Sequence, residues 1–456
     1  MIKRKLKDIA TWVNGETVGP DTSTTEVAGV STDTRTIQKG NLYIPIVGEN
    51  FNGHDFMRAA VENGASGGLW QKDQPNPPEG VPLIYVEDTL LALQNLAKNY
   101  LASLPAKVVG ITGSNGKTTT KDMVTSVLSS TYKVQKTEGN YNNHIGLPLT
   151  ILSLEEDTEL AVLEMGMSGR GEIELLSNIA QPEAAIITNI GESHLQDLGS
   201  REGISEAKFE ITAGLKEHGS LVIHGDEPLL TEKVTNCPFH VKTFGSSEKN
   251  DYYPVQIDQK TNGTYFTING ENETEFFIPV LGKHNINNAL SAIAIAKQFD
   301  VSMPNIKKGL EMIQITGMRT ELIQGEDGVA VINDAYNASP TSMQAAIELL
   351  QDLNGYKKKI VVLGDMLELG DSEEAFHYDV GEGIDNSKIN YVFTIGELGR
   401  KIAEGAKVNF SPNHVLAFDD KQMLIAKLKE VVEEGAIVLV KGSRGMKLEE
   451  VVNALT

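Results

Sequence analysis

The sequence predicts an α/β protein of three domains: a central parallel sheet of the P-loop ATPase kind, a Rossmann-like C-terminal domain and a smaller N-terminal α/β domain. Three observations predict it. The chain has 456 residues, 40% of them hydrophobic, which is too long for one core and suits about three domains of ordinary size. Short apolar runs alternate with amphipathic stretches along most of its length, the pattern of parallel strands joined by crossover helices. Residues 108–120, VVGITGSNGKTTT, read as strand, glycine loop and helix start in that order.

The elements follow along the chain. In the first domain 42–47 is apolar, 56–63 has helical spacing, 67–70 and 83–86 are strand-like, and 90–101 is amphipathic. Pro105, in SLPAK at 103–107, ends a helix where the apolar period changes, which puts a boundary between 1–104 and a second domain, 105–316. The second runs through strands at 161–164, 184–188 and 221–223 to a helix at 288–299. After Gly317, Met318 and Arg319 a third alternation, 317–456, has strands at 329–333, 359–363, 391–395 and 436–441, with helices at 342–350 and 421–433. There is no internal repeat.

A formal net charge of -22 argues against broad attraction to nucleic acid or an anionic membrane, so any bound phosphate must be met locally. The single cysteine, Cys237, excludes an intrachain disulfide and a cysteine metal cluster, as in a reducing compartment. The basic N-terminus MIKRKLKDIATWVNG lacks an apolar core of signal-peptide length, and no run is long enough to span a bilayer. A cytoplasmic protein without stable membrane association, acting as a monomer, is expected.

The glycine loop carries the first chemistry. Gly113 and Gly116 let the N–H groups of the loop through Ser114 and Asn115 point at anionic oxygens, and the helix that begins near Lys117 adds its positive end alongside Thr119. Lys117 can reach terminal phosphates, and Thr118 offers a hydroxyl to magnesium, so ATP is the expected ligand. The full GxxxxGK[ST] pattern would place glycine at Ile111; this is the shorter GxxGKT form. Glu164 and His194 both follow apolar strands, at the strand ends where open α/β sheets hold ligands. A carboxylate beside Thr118 is a natural Mg²⁺ ligand, and a neutral imidazole can complete a second site. Taken singly, Glu164 reads equally as a salt-bridged strand end, His194 as a satisfied turn histidine, and Lys208, opening a helix in REGISEAKFEI, as a surface lysine.

Ten blocks in order make a resemblance specific: TGSNGKTTTK at 112–121, NYNNHIGLP at 140–148, EMGMSGRGEI at 164–173, TNIGESHL at 188–195, AKFEI at 207–211, GKHNINNALSAIA at 282–294, GMRTE at 317–321, NDAYNASP at 333–340, LGDMLELG at 363–370 and KGSRGMKLEEVV at 441–452. Across nearly the whole chain it resembles the Mur ligase family. The resemblance implies an ATP-dependent amide ligase that joins D-alanyl-D-alanine to UDP-N-acetylmuramoyl-tripeptide through an acyl phosphate, in peptidoglycan precursor synthesis. It implies that Lys117 holds the ATP phosphates, that Thr118 and Glu164 hold one Mg²⁺, and that Glu164, His194 and an N6-carboxylated Lys208 hold a second. Asn285 and Asn288 would read adenine, while Arg319 and Asp334 would reach the phosphates and ribose. Asn285 as a helix cap and Asp334 as a turn former are the plainer alternatives. STDTR at 31–35 and FNGHDF at 51–56 resemble the family's UDP-binding domain, with Ser31, Arg35 and His54 as candidate contacts, although Asp33 and Arg35 read equally as a turn-stabilising pair. Asn142 and Asn143 would face the muramoyl peptide.

Three other functions compete with this one. The preceding ligase, which adds the third peptide residue, carries an Asp-Asn-Pro-Arg motif where this chain has TIGELGR at 394–400. Folylpolyglutamate synthetase lacks the first domain. A non-catalytic ATP-binding regulator would have no use for Glu164, His194 and Lys208 together.

Overall fold

The computed structural model describes residues 1–271 and 273–456. The central sheet has six parallel strands in the spatial order His240–Phe244, Ser220–His224, Ala184–Ile187, Lys107–Thr112, Leu160–Glu164, Val134–Lys136. Alternate side chains serve two cores. Val109, Ile111, Val162 and Ile186 pack under the helices Lys117–Ser129 and His284–Gln298, while Val108, Leu163, Ala185 and Ile187 pack under Gly146–Ser153 and Glu172–Ala180. From Lys107–Thr112 the chain winds first to one side of the sheet and then to the other. The crevice of an open α/β sheet lies at that switch point, so the glycine loop after Thr112 is where a ligand is expected.

The Rossmann-like third sheet is ordered Glu321–Gln324, Ala330–Asp334, Ala436–Lys441, Lys358–Gly364, Tyr391–Ile395, Val415–Phe418, parallel except at its first strand. The first domain holds a five-stranded sheet from Glu16–Val18, Leu83–Val86, Gly67–Gln71, Leu42–Tyr43 and Val30–Ser31. The apolar run at 42–47 yields only a two-residue strand, because Pro45 has no N–H to extend the ladder. A further antiparallel sheet, Pro254–Lys260, Gly263–Ile268 and Phe276–Ile278, interrupts the expected alternation and sends Phe266, Ile268, Phe276 and Ile278 into the core under the glycine-loop helix. Lys208 closes the helix Arg201–Phe209 rather than opening one; Ser200 caps that helix earlier in the chain by accepting from the Gly203 N–H.

The domains are joined unequally. Ile2, Leu6, Leu96 and Tyr100 share one apolar core with Leu147 and Ile151, and the Tyr100 hydroxyl donates to the Leu154 carbonyl at 2.7 Å. The third domain meets the second through Leu281, which joins the third domain's apolar core, and through polar contacts. At the linker, the Thr316 N–H and hydroxyl donate to Asp122 at 2.9 and 2.8 Å. Farther in, Ser339 Oγ donates to Asn115 Oδ1 at 3.2 Å and Thr341 Oγ1 to Glu192 at 2.7 Å. Among the described residues no helix is long and apolar enough to cross a membrane.

Candidate active site

Gly116, at φ 78°, is the N-cap of Lys117–Ser129, and Gly113 lies at φ 146°. The tightness is steric as well as torsional. A Cβ on Gly113 would sit 1.9 Å from Thr188 Oγ1, and one on Gly116 would sit 2.8 Å from Asn288 Oδ1. The loop is braced by Asn189, whose Oδ1 accepts from the Asn115 N–H at 2.9 Å, and by the Thr188 hydroxyl, which donates to the Asn115 carbonyl at 2.6 Å. Lys117 Nζ donates to the Gly113 and Ser114 carbonyls at 2.7 and 3.2 Å.

Glu164, 3% exposed at its strand end, accepts from Thr118 Oγ1 and from Asn142 Nδ2, each at 2.9 Å. Asn142 therefore holds the carboxylate. Asn143 Oδ1 accepts from the Gly146 N–H at 2.8 Å and fixes the start of Gly146–Ser153. His194 has a left-handed backbone, φ 64°. Burial, reinforced by the positive charges of Lys208 and Lys117, pushes it down to about 4. Lys208 is 1% exposed. Burial first, then Lys117, drives it well below the ordinary lysine value.

These groups surround a cavity of about 770 Å³ between the second and third domains, walled by Ser114, Asn115, Gly116, Lys117, Thr118, Thr119, Asn142, Asn143, Glu164, His194, Asn285, Asn288, Arg319 and Asp334. Gly113 and Lys208 do not line it, nor do Ser31, Arg35 and His54 of the first domain. The amides of Asn285 and Asn288 are committed inside the protein. Asn285 Nδ2 donates to the Leu281 carbonyl at 2.8 Å, Asn288 Nδ2 to Asn285 Oδ1 at 2.9 Å, and Thr120 Oγ1 to Asn288 Oδ1 at 3.1 Å. They brace the glycine-loop helix, and reading a base through these amides would require exchanging those bonds. Asp334 accepts from the Thr320 N–H at 3.0 Å and from Lys441 Nζ at 2.6 Å, and Arg319 lies 4.1 Å over the Tyr336 ring. Lys441 and Tyr336 lie in the blocks KGSRGMKLEEVV and NDAYNASP with no role evident from the sequence alone; the signal it offers is a lysine that ends the apolar run AIVLVK at 436–441.

The cradle suits a polyphosphate. Ser114 Oγ, Asn115 Nδ2 and Arg319 Nε are buried without a hydrogen-bond partner, which leaves donors for anionic oxygens. Among the described residues no three His, Cys, Asp or Glu side chains converge as a metal cluster. The hydroxyl of Thr118 and the carboxylate of Glu164 are a hard-oxygen pair of the kind that holds Mg²⁺ jointly with phosphate oxygens.

The candidate contacts of the first domain are satisfied locally. Arg35 grips Asp33 through Nε at 3.0 Å and Nη2 at 2.7 Å, the turn-stabilising pair, and these bonds from Arg35 bring Asp33 down to about 2. Ser31 Oγ donates to the Asp33 carbonyl at 2.9 Å. His54 Nδ1 lies 2.8 Å from Asn52 Oδ1, and its Nε2 accepts from the Gln71 N–H at 3.1 Å.

Fold and site together define a three-domain α/β protein with a P-loop anion cradle at a domain junction. Its sequence matches the Mur ligase middle domain over residues 111–296, the Mur ligase glutamate ligase domain over 318–444, and the Mur ligase family catalytic domain over 26–101. The chain belongs to the Mur ligase family. It is 54% identical to the UDP-N-acetylmuramoyl-tripeptide--D-alanyl-D-alanine ligase of Bacillus subtilis over 100% of this chain and 99% of that one. A crystal structure of MurF from Acinetobacter baumannii superposes with a TM-score of 0.90 at 30% identity, covering 99% of this chain and 98% of that one. MurF ligase from Thermotoga maritima in complex with ADP gives a TM-score of 0.82 at 29% identity, covering 94% and 97%.

Proposed function

We propose that this chain is an ATP-dependent carbon-nitrogen ligase that joins D-alanyl-D-alanine to UDP-N-acetylmuramoyl-tripeptide in peptidoglycan precursor synthesis, within a cytoplasmic monomer divided at 1–104, 105–316 and 317–456. The observation that carries the reading is the pairing of the P-loop Thr118 with the buried Glu164 beneath a cavity closed by the third domain. The tripeptide's terminal carboxylate takes the γ-phosphoryl group of ATP, and the dipeptide amine then displaces phosphate from the acyl phosphate. Two anions must meet in the first step, so positive charge is the main requirement.

Lys117 is placed to supply part of that charge by leaving the Gly113 and Ser114 carbonyls for phosphate oxygens. Arg319 and the loop N–H groups add fixed donors. Mg²⁺, held by Thr118 and Glu164 and at a second site by Glu164, His194 and Lys208, would neutralise phosphate charge and draw the two anions together. Lys208 suits that site only if its charge changes. A buried amine held neutral can add CO₂ and lose a proton to become a carbamate, which turns a repelling cation into a ligand. The neutral His194 imidazole keeps a lone pair for the metal.

The test is phosphate release by the full chain with ATP, Mg²⁺ and UDP-muramoyl-tripeptide, comparing D-alanyl-D-alanine with lysine and glutamate as amine donors. Release confined to the dipeptide is expected. Release with lysine on the shorter dipeptide-bearing precursor would assign the chain to the preceding step instead.

A further inference from the structure

The loop that follows strand Lys358–Gly364 reaches across the domain junction and docks on the segment holding His194. Three contacts seat it. The Gln196 N–H donates to the Glu368 carbonyl at 3.2 Å, Gly370 lies beside the Gln196 backbone, where an added Cβ would make ordinary van der Waals contact with its Cα at 3.4 Å, and Glu368 Oε2 stands 2.8 Å from His194 Nδ1. Glu368 holds φ 67°, a left-handed conformation that a glutamate adopts only at a cost. Strain at a non-glycine residue whose side chain ends on a candidate metal ligand calls for a reason. His194 Nδ1 is buried and has no aligned hydrogen-bond partner among the described residues, so the Glu368 carboxylate is the acceptor within its reach. Imidazoles that bind metals through one nitrogen almost always donate the other N–H to a carboxylate, a carbonyl or water, which fixes tautomer and ring orientation.

We propose that Glu368 is a positioning residue, by which docking of the third domain holds the His194 ring with its Nδ1–H toward the carboxylate and its Nε2 lone pair toward the metal. The inference rests on the reading of His194 as a metal ligand. It makes the metal site a composite of two domains. His194 is then correctly presented only while the third domain is seated, which ties domain docking to chemistry without any new contact to substrate.

Glu368→Gly tests this without endangering the fold, because it removes the carboxylate and relieves the left-handed backbone together. The melting temperature should stay level or rise. In the full chain labelled with ¹⁵N-histidine, without nucleotide or metal, the ring resonances of His194, assigned by their loss in His194→Ala, should report the Nδ1–H tautomer. Glu368→Gly should abolish that bias. The Mg²⁺ concentration needed for half-maximal phosphate release should rise about 10- to 100-fold, with the KM for UDP-muramoyl-tripeptide unchanged. Glu368→Gln, which keeps an acceptor oxygen, should recover part of the loss, and Leu367→Ala, an exposed neighbour on the same loop, should behave as wild type. An unchanged His194 spectrum and Mg²⁺ response in Glu368→Gly, beside a defective His194→Ala, overturns the role of Glu368 alone. A normal Mg²⁺ response in His194→Ala overturns the metal role of His194, and the proposal falls with it even if the spectrum of Glu368→Gly still shifts.

Discussion

The loop end of the central sheet and the first-domain loops at 31–35 and 52–54 carry comparably distinct motifs, yet they satisfy their polar groups in opposite ways. Around the glycine loop, side chains from distant parts of the chain converge and leave buried donors unpaired: Ser114 Oγ, Asn115 Nδ2 and Arg319 Nε. In the first domain the pairings close within short stretches, Arg35 on Asp33 and His54 on Asn52 and Gln71. Unspent hydrogen-bonding capacity marks a place built for a ligand, whereas a closed set of bonds marks a loop holding its own shape. The contrast implies that substitutions in the first region strike turnover and leave stability nearly alone, while those in the second strike stability or substrate affinity.

The largest effect is expected at Lys117. Lys117→Ala should lower turnover by several orders of magnitude with the melting temperature little changed, a loss of at least about 3 kcal/mol of transition-state stabilisation. Turnover within about tenfold of wild type, roughly 1.4 kcal/mol, would break the comparison at its strongest point. Next comes Lys208, which is 1% exposed. Lys208→Ala should be nearly inactive and partly restored by a small carboxylic acid that fills the vacated space, whereas Lys208→Arg should not respond because its guanidinium occupies that space. Ordinary activity of Lys208→Ala in bicarbonate-free buffer would return the residue to a plain buried helix position.

How far the sequence discloses each region follows from the same physics. The strand, loop and helix at Lys107–Thr112 and Lys117–Ser129 were readable because Gly113 and Gly116 are demanded by backbone geometry, and the apolar period changes at the loop. The sheet beginning at Pro254–Lys260 was not, since that edge strand is mostly exposed and offers no clean alternation. Lys208 reads as a surface lysine because burial of one helical residue within the central domain leaves no trace in helical spacing. Glu368 lies inside LGDMLELG at 363–370, and nothing in that block's spacing points to a task for it. Its meaning comes from His194, 174 positions away by number, and only docking of the third domain brings the two to 2.8 Å. Ser339 on Asn115 and Thr341 on Glu192 were hidden for the same reason.

The first-domain predictions are smaller and turn on which quantity moves. His54 is 4% exposed, and its Nε2 is the acceptor for the Gln71 N–H. His54→Ala strands that donor in the interior and should cost about 1–3 kcal/mol of stability, read by denaturant melts. If His54 instead only touches the uridine diphosphate, the KM will rise and the melt will not move. Burial holds the His54 value below that of an unfolded histidine, so the unfolded chain binds the extra proton first as pH falls. The contribution of His54 to stability should therefore be full above about pH 6.5 and decline as pH drops below it, a slope that His54→Ala should lack.

Arg35 is the gentlest case and the one that most sharpens the contrast. Its side chain is 87% exposed and its partner Asp33 also faces water, so solvent screens the ion pair and little stability rests on it. Arg35→Ala should leave the melting temperature within error. A guanidinium that turns from Asp33 to a diphosphate would nevertheless add affinity for the UDP-substrate, because planar forked donors match phosphate oxygens. A rise in KM of up to about tenfold, with unchanged turnover and a steeper weakening in salt, would place the diphosphate at this loop. If KM, turnover and melting temperature all stay at wild-type values, Arg35 serves the turn alone, and the first domain must hold its substrate through other residues.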